Sequence, residues 1–190
     1  YLRQHGYTGA VYAVHPHLDS IDGQPCYPSV AALPSAPDAA IVLLGADRAI
    51  DAVRDLAVRG TAAAIVIAGG YAEQGRSGAR LQDELKSAAG SMRLLGPNTI
   101  GLVNLTNGVM LTATGALESG APPAGTIALV SQSGGILGSL LSRAAARRIG
   151  FSKLIATGNE ADLELSDFIE YLAADDATTV ISLYVETLRN

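Results

Sequence analysis

The sequence has a single cysteine, Cys26, no tryptophan and only two phenylalanines. One cysteine excludes an intrachain disulfide framework and suits a reducing compartment, so a cytoplasmic location is expected. Cys26 is not set among histidines, and His15 and His17 lack a third ligand at metal spacing, so no metal site is expected. No apolar run approaches the roughly 18 residues of a membrane span. The opening residues YLRQHGYTG read as neither a signal peptide nor a transit sequence. Basic runs and aromatic-interleaved basic stripes are also missing, and the net charge is −5, which argues against a nucleic-acid surface. There is no internal repeat, no low-complexity tract and no G-x-G-x-x-G turn. Residues 2–6 resemble the last turn of a helix closed by Gly6. The expectation is therefore of a fragment whose first strand, with any first phosphate-binding turn, lies upstream of Tyr1.

What the chain does have is apolar content, about half of its 190 residues, enough for one large core or two small ones. From Gly9 onward strands are expected near 10–14, 39–44, 62–67 and 92–95, separated by helices near 30–33, 48–59 and 79–89. The strands lack clean alternation, which implies a parallel sheet covered on both faces, a doubly wound α/β unit. Helix 48–59 should turn Ile50, Val53, Ala57 and Val58 inward, away from Arg48, Asp51, Asp55 and Arg59. Ligands of such sheets sit beyond the carboxyl ends of the strands. The residues there are His15-Pro16-His17, Gly45-Ala46, Ala68-Gly69-Gly70-Tyr71 and Gly96-Pro97-Asn98-Thr99, small or turn-forming types that let a ligand approach the backbone. Each glycine also suits an ordinary strand-to-helix turn.

Residues 126–150, TIALVSQSGGILGSLLSRAAARRIG, read as a buried strand (127–130), a small-residue loop (131–135) and a helix (136–148). Ser131, Gln132, Ser133, Gly134 and Gly135 gather hydroxyls and free backbone N–H groups at a helix start, where the peptide dipoles favour negative charge. That chemistry suits a phosphoryl group. Equally, Ser131 or Ser133 could be a plain N-cap, with the glycines serving close packing. Gly120-Ala-Pro-Pro-Ala-Gly125 is the clearest linker, dividing a first domain (1–119) from a second unit (126–190). The second unit continues with a strand at 153–157, the loop Gly158-Asn159-Glu160-Ala161-Asp162, a helix at 166–173, and a strand at 180–185 ending at Glu186. Three strands make an incomplete domain.

Four motifs then occur in order: GPNTIGLVN (96–104), ALVSQSGG (128–135), IGFSKLIATGNEADL (149–163) and YVE (184–186). In sequence and spacing they resemble the NDP-forming acyl-CoA synthetases, including ADP-forming acetyl-CoA synthetase and the succinyl-CoA synthetase α subunit. The resemblance implies a Rossmann-like CoA-binding domain without its first strand, followed by part of a flavodoxin-like succinyl-CoA ligase domain. It implies reversible conversion of an acid, CoA and NTP to acyl-CoA, NDP and phosphate, through an acyl phosphate and a phosphohistidine. In that scheme the phosphoryl group docks at Ser131, Gln132, Ser133, Gly134 and Gly135, and Glu186 is the catalytic glutamate that partners the histidine. Pro16, Gly45, Ala46, Ile67, Ala68, Gly69, Pro97 and Asn98 would wall the CoA site. ATP or ADP and Mg²⁺ would bind an ATP-grasp domain or subunit outside this chain, in a homodimer or heterotetramer.

The chain departs from the family pattern in several places. His15-Pro16 replaces a frequent Asn-Pro, Gly45 replaces a proline, and Thr99 stands where some relatives carry a cysteine. None of His5, His15 and His17 matches the phosphorylated histidine, which in the family falls beyond the Glu186 position, so this stretch alone is not expected to turn over. Two other readings stay open here. One is a CoA-sensing regulatory module of a protein lysine acetyltransferase without synthetase activity. The other is a plain CoA- or nucleotide-binding protein.

Overall fold

The structure is a computed structural model that describes residues 1–118 and 120–188. Its apolar runs are shared among three sheets. β1 (Ala13–Val14), β2 (Ser20–Ile21) and β3 (Gln24–Tyr27) form a small sheet, with β1 parallel and β2 antiparallel to β3. β4 (Ala39–Val42), β5 (Ala63–Val66) and β6 (Arg93–Leu95) lie side by side in parallel, connected by α1 (Ala46–Arg59) and α2 (Arg76–Ala89). The third sheet contains β7 (Gly101–Asn104), β8 (Val109–Thr112), β9 (Ala124–Ser131), β10 (Phe151–Ala156) and β11 (Val180–Tyr184), in the order β11-β9-β10-β7-β8. β9, β10 and β11 run parallel, whereas β7 is antiparallel to both β10 and β8. α3 (Gly134–Arg147) and α4 (Leu165–Ala173) complete the fold.

Local patterning explains most elements. In α1, Ala49, Ile50, Val53 and Leu56 share one face and are buried. Val58, expected on that face, is instead 85% exposed. It lies nine residues beyond Ala49, about two and a half turns, and so points the opposite way. In α3 the buried positions are Leu137, Leu141 and Ala144, packed in one cluster with Val103, Leu129 and Leu154. A further cluster brings Ile65 and Leu95 of the β4–β6 sheet against Ala128, Val130, Ile155 and Leu172, so the two larger sheets share a core. Each fully buried leucine contributes about 2 kcal/mol. At the amino end Tyr7 N–H donates to Leu2 O (3.0 Å) and Gly6 N–H to Arg3 O (3.1 Å), with Gly6 at φ +86°. This is the glycine-capped turn that the sequence indicates.

Three expectations are corrected. The strand expected at 10–14 shrinks to β1 and pairs with β3, which hides in the proline-containing Gln24-Pro25-Cys26-Tyr27. The helix expected at 30–33 is one 3-10 turn, Val30–Ala32. Most consequentially, the expected linker does not divide the sheets. The β7–β8 hairpin, assigned by sequence to the first domain, is hydrogen-bonded to β10 of the second. Ala124 and Gly125 already belong to β9, Pro122 is buried, and Phe151 N–H donates to Pro123 O (3.2 Å). Pro122 is thus packed just before a strand, and the exposed Pro123 is held there through its carbonyl. Ser119, the expected end of the first domain, lies outside the described residues, as do Arg189 and Asn190.

Among the described residues no helix is long and apolar enough to cross a membrane, and no group of three or more metal-binding side chains occurs.

Candidate functional site

The turn between β9 and α3 sits at the carboxyl edge of the third sheet, with Tyr184 of β11 in register with Ser131. The five residues that the sequence groups together divide here into two kinds. Ser131 is fully buried; its hydroxyl donates to Ser133 O (2.8 Å) and accepts from Ser133 N–H (3.1 Å). The Gln132 amide is likewise bonded within the protein. The Ser131 hydroxyl and the half-buried Gln132 amide therefore spend their hydrogen bonds on the protein itself, and their polar atoms shape the turn. Ser133 is the N-cap of α3, its hydroxyl accepting from Ile136 N–H (3.5 Å). Gly134 and Gly135 open the helix, where N–H groups have no preceding carbonyl to bond. No acidic residue lies in the first turn. An open recess of about 570 Å³ adjoins this start, lined by Ile100, Thr114, Gly134, Gly135, Gly138 and Ser139. Nothing lies within 4 Å of the place a Gly135 Cβ would take, so a small anion can reach the backbone there.

Glu186 follows β11 on the same edge, and its side chain is exposed. Its N–H donates to Gln132 Oε1 (2.7 Å), which also accepts from Thr187 N–H (2.9 Å). Gln132 Nε2 donates to Thr187 O (2.8 Å) and to Glu160 Oε2 (3.0 Å). Glu160, 9% exposed and at φ +53°, accepts at its other oxygen from Thr157 Oγ1 (2.8 Å).

Of the residues expected to wall a CoA site, Gly45 and Ala46 follow β4, Ile67, Ala68 and Gly69 follow β5, and Pro97 and Asn98 follow β6. They therefore line one edge of one sheet, and Asn98 N–H donates to Ala68 O (2.8 Å). Leu43 beside them is 70% exposed. Pro16 stands apart, on the exposed turn after β1, where His17 N–H donates to His15 Nδ1 (3.2 Å).

The sequence reading missed Glu73. This side chain accepts from the N–H groups of Gly70 (2.5 Å) and Tyr71 (3.1 Å), and its second oxygen accepts from Asn159 Nδ2. Asn159 Oδ1 in turn accepts from Asn98 Nδ2 (3.2 Å), and Asn159 N–H donates to Pro97 O (2.9 Å). The turns after β5 and β6 are thereby stitched to the loop after β10. Burial pushes the Glu73 carboxyl up, but hydrogen bonds from Asn159, Gly70 and Tyr71 outweigh it and hold the group below its usual value. The neighbouring Tyr71 is fully buried and donates to Ala46 O (3.2 Å). Burial, followed by the charges of Asp47 and Glu73, raises its phenol to about 12. The one available signal for Glu73 was an acid three residues past two turn glycines, placed to cap their N–H groups.

The family described as "CoA binding domain" matches residues 1–104, and that described as "Succinyl-CoA ligase like flavodoxin domain" matches residues 124–190. An acetate–CoA ligase (ADP-forming) I of Archaeoglobus fulgidus is 40% identical over 182 residues, 95% of this chain and 26% of that protein. The chain belongs to the NDP-forming acyl-CoA synthetase family. Within it, a trans-feruloyl-CoA synthase from an unknown prokaryotic organism is 36% identical over 192 residues, 99% of this chain and 27% of that protein. The dinucleotide-forming acetyl-coenzyme A synthetase 1 of Ca. Korarchaeum cryptofilum, solved in complex with phosphate and ADP, superposes with a TM-score of 0.91 at 31% identity, covering 98% of this chain and 39% of that one. The chain spans about a quarter of the length of the curated relatives named here. Relatives named for acetate and for ferulate thus share this region of the synthetase fold.

Proposed function

We propose that the chain is the CoA-binding and phosphoryl-docking portion of an NDP-forming acyl-CoA synthetase. The full-length protein would convert a carboxylic acid, CoA and NTP to acyl-CoA, NDP and phosphate, reversibly. One observation carries this reading. An open, acid-free helix start at Ser133-Gly134-Gly135 and the Glu186 strand end share one edge, reached across β9 and β11. The backbone N–H groups and the α3 dipole stabilise a phosphoryl oxygen there. Glu186 orients an incoming imidazole and favours its cationic form. Gly45, Ala46, Ile67, Ala68, Gly69, Pro97 and Asn98 receive CoA along the neighbouring sheet edge, with Pro16 at its margin. The phosphorylated histidine, the ATP-grasp domain or subunit and its Mg²⁺-bound nucleotide come from outside these residues, in a dimeric or heterotetrameric cytoplasmic enzyme.

The test is incubation of the full-length protein with radiolabelled ATP and Mg²⁺, followed by assay for an acid-labile, base-stable phosphoprotein. Label that is discharged by phosphate acceptors or by acid plus CoA is the expected result. Absence of label in a protein that still binds CoA would refute the phosphoryl-docking role and leave a CoA-binding protein.

A further inference from the structure

The geometry points to Gln132 as a positioning residue that sets the backbone of Glu186, with Glu160 as the group that fixes Gln132. The inference rests on the proposed role of Glu186 and deepens it. A primary amide offers two donor hydrogens and two acceptor lone pairs. At Gln132 all four are used: Oε1 accepts from Glu186 N–H (2.7 Å) and Thr187 N–H (2.9 Å), while Nε2 donates to Thr187 O (2.8 Å) and Glu160 Oε2 (3.0 Å). Nothing is left over for an anion. Only this orientation of the amide works, because the reverse would set its oxygen against the Glu160 carboxylate and the Thr187 carbonyl, and its NH₂ against two N–H donors.

The partner that makes the orientation unique is Glu160. Its backbone sits at φ +53°, a conformation uncommon outside glycine, in the loop after β10. Thr157 Oγ1 holds one carboxylate oxygen (2.8 Å), which leaves the other aimed at Gln132. Glu160 is 9% exposed, its carboxylate is bonded to Gln132 and Thr157, and it does not line the recess beside α3. The exposed Glu186 follows the edge strand β11, and Gln132 N–H also donates to Tyr184 O (3.1 Å). Side chain and backbone of one residue thus pin three of the four positions 184–187, all but 185. A carboxylate that must meet an imidazole needs such a fixed base, since small displacements of a positioned group weaken its action sharply.

The test uses the full-length protein with Gln132→Met, which keeps the volume and removes all four bonds, alongside Glu186→Gln, the double variant, Glu160→Gln and Glu160→Ala. Hydrogen exchange of the peptide spanning Glu186 and Thr187 is read together with phosphoprotein yield from labelled ATP and CoA affinity. Gln132→Met should speed exchange at these two amides and lower the yield about tenfold or more, while the double variant labels no worse than Glu186→Gln alone. Glu160→Gln, which keeps an oxygen for Gln132, should retain more label than Glu160→Ala. Unchanged exchange in Gln132→Met, or losses that multiply in the double variant, would overturn the assignment. If Gln132→Met does not fold, as judged by lost CoA binding, the two Glu160 variants decide by the same exchange reading. If the unsubstituted protein takes no label, the reading of the site fails, and exchange at Glu186 and Thr187 still decides whether Gln132 holds them.

Discussion

The starts of α1 and α3 are built on the same plan, a parallel strand, a tight turn and a helix pointing back across the sheet, yet they differ in capping and charge. α1 begins at Gly45 without a side-chain cap and carries Asp47 in its first turn. α3 begins at Ser133, which caps Ile136 N–H, and has no acid in its first turn. A carboxylate near a helix start occupies the favourable potential that an incoming anion would use. In the proposed reading, this charge difference leaves the α3 start free for a phosphoryl group and the α1 start to an uncharged stretch of CoA. The difference also shows in hydrogen bonding. The α3 turn is bonded internally through Ser131 and Gln132, and no side chain caps Gly45.

The largest effect should come from making α3 resemble α1. Gly135→Asp adds a carboxylate where a Cβ meets nothing within 4 Å, so folding should survive. Phosphoprotein yield from labelled ATP should fall about a hundredfold through like-charge repulsion, with CoA affinity unchanged in a titration. The converse change, Gly45→Ser, gives α1 a cap at a backbone geometry of φ −58°, ψ 158°. Thermal unfolding should show a gain of about a few tenths of a kcal/mol. The added side chain should meanwhile weaken CoA about tenfold, since it crowds the proposed site. Ser133→Ala removes the α3 cap and should cost about 0.5–1 kcal/mol in urea unfolding, with a smaller loss of label than Gly135→Asp. The smallest effect is on pH dependence. The depressed carboxyl of Glu73 stabilises the fold fully above the ordinary value of about 4.3 and ceases to do so as pH falls through its lowered value. Glu73→Gln should flatten this acid limb of stability against pH and leave the neutral-pH helix content intact by circular dichroism.

Much of the architecture was legible. Apolar spacing located α1, α2, α3 and the strands they connect, because burial on one face imposes a period of 3.6 on helices. The β7–β8 hairpin was missed although Asn107-Gly108, with Gly108 at φ +67°, is a strong hairpin signal between short apolar runs. The proline pair at 122 and 123 was read as a linker because composition does not reveal that Pro122 is buried at the start of a strand. At the site, Ser133, Gly134 and Gly135 were legible from residue type alone. Gln132 was not, since its side-chain partners stand 28, 54 and 55 residues away. Glu73 escaped for the same reason: Asn159, which it grips, lies 86 residues further on.

The sequence by itself determined the family, the helices α1 to α4 and the residue types at the end of each strand, because these depend on motifs and on local periodicity. Tertiary structure decided the rest. It joined the hairpin at 101–112 to β10 across the apparent domain boundary, since backbone groups on a strand edge must find partners wherever the chain brings them. It also tied the Gln132 amide to Glu160, Glu186 and Thr187. An amide takes its orientation from its four hydrogen-bond partners, and only folding brings those together.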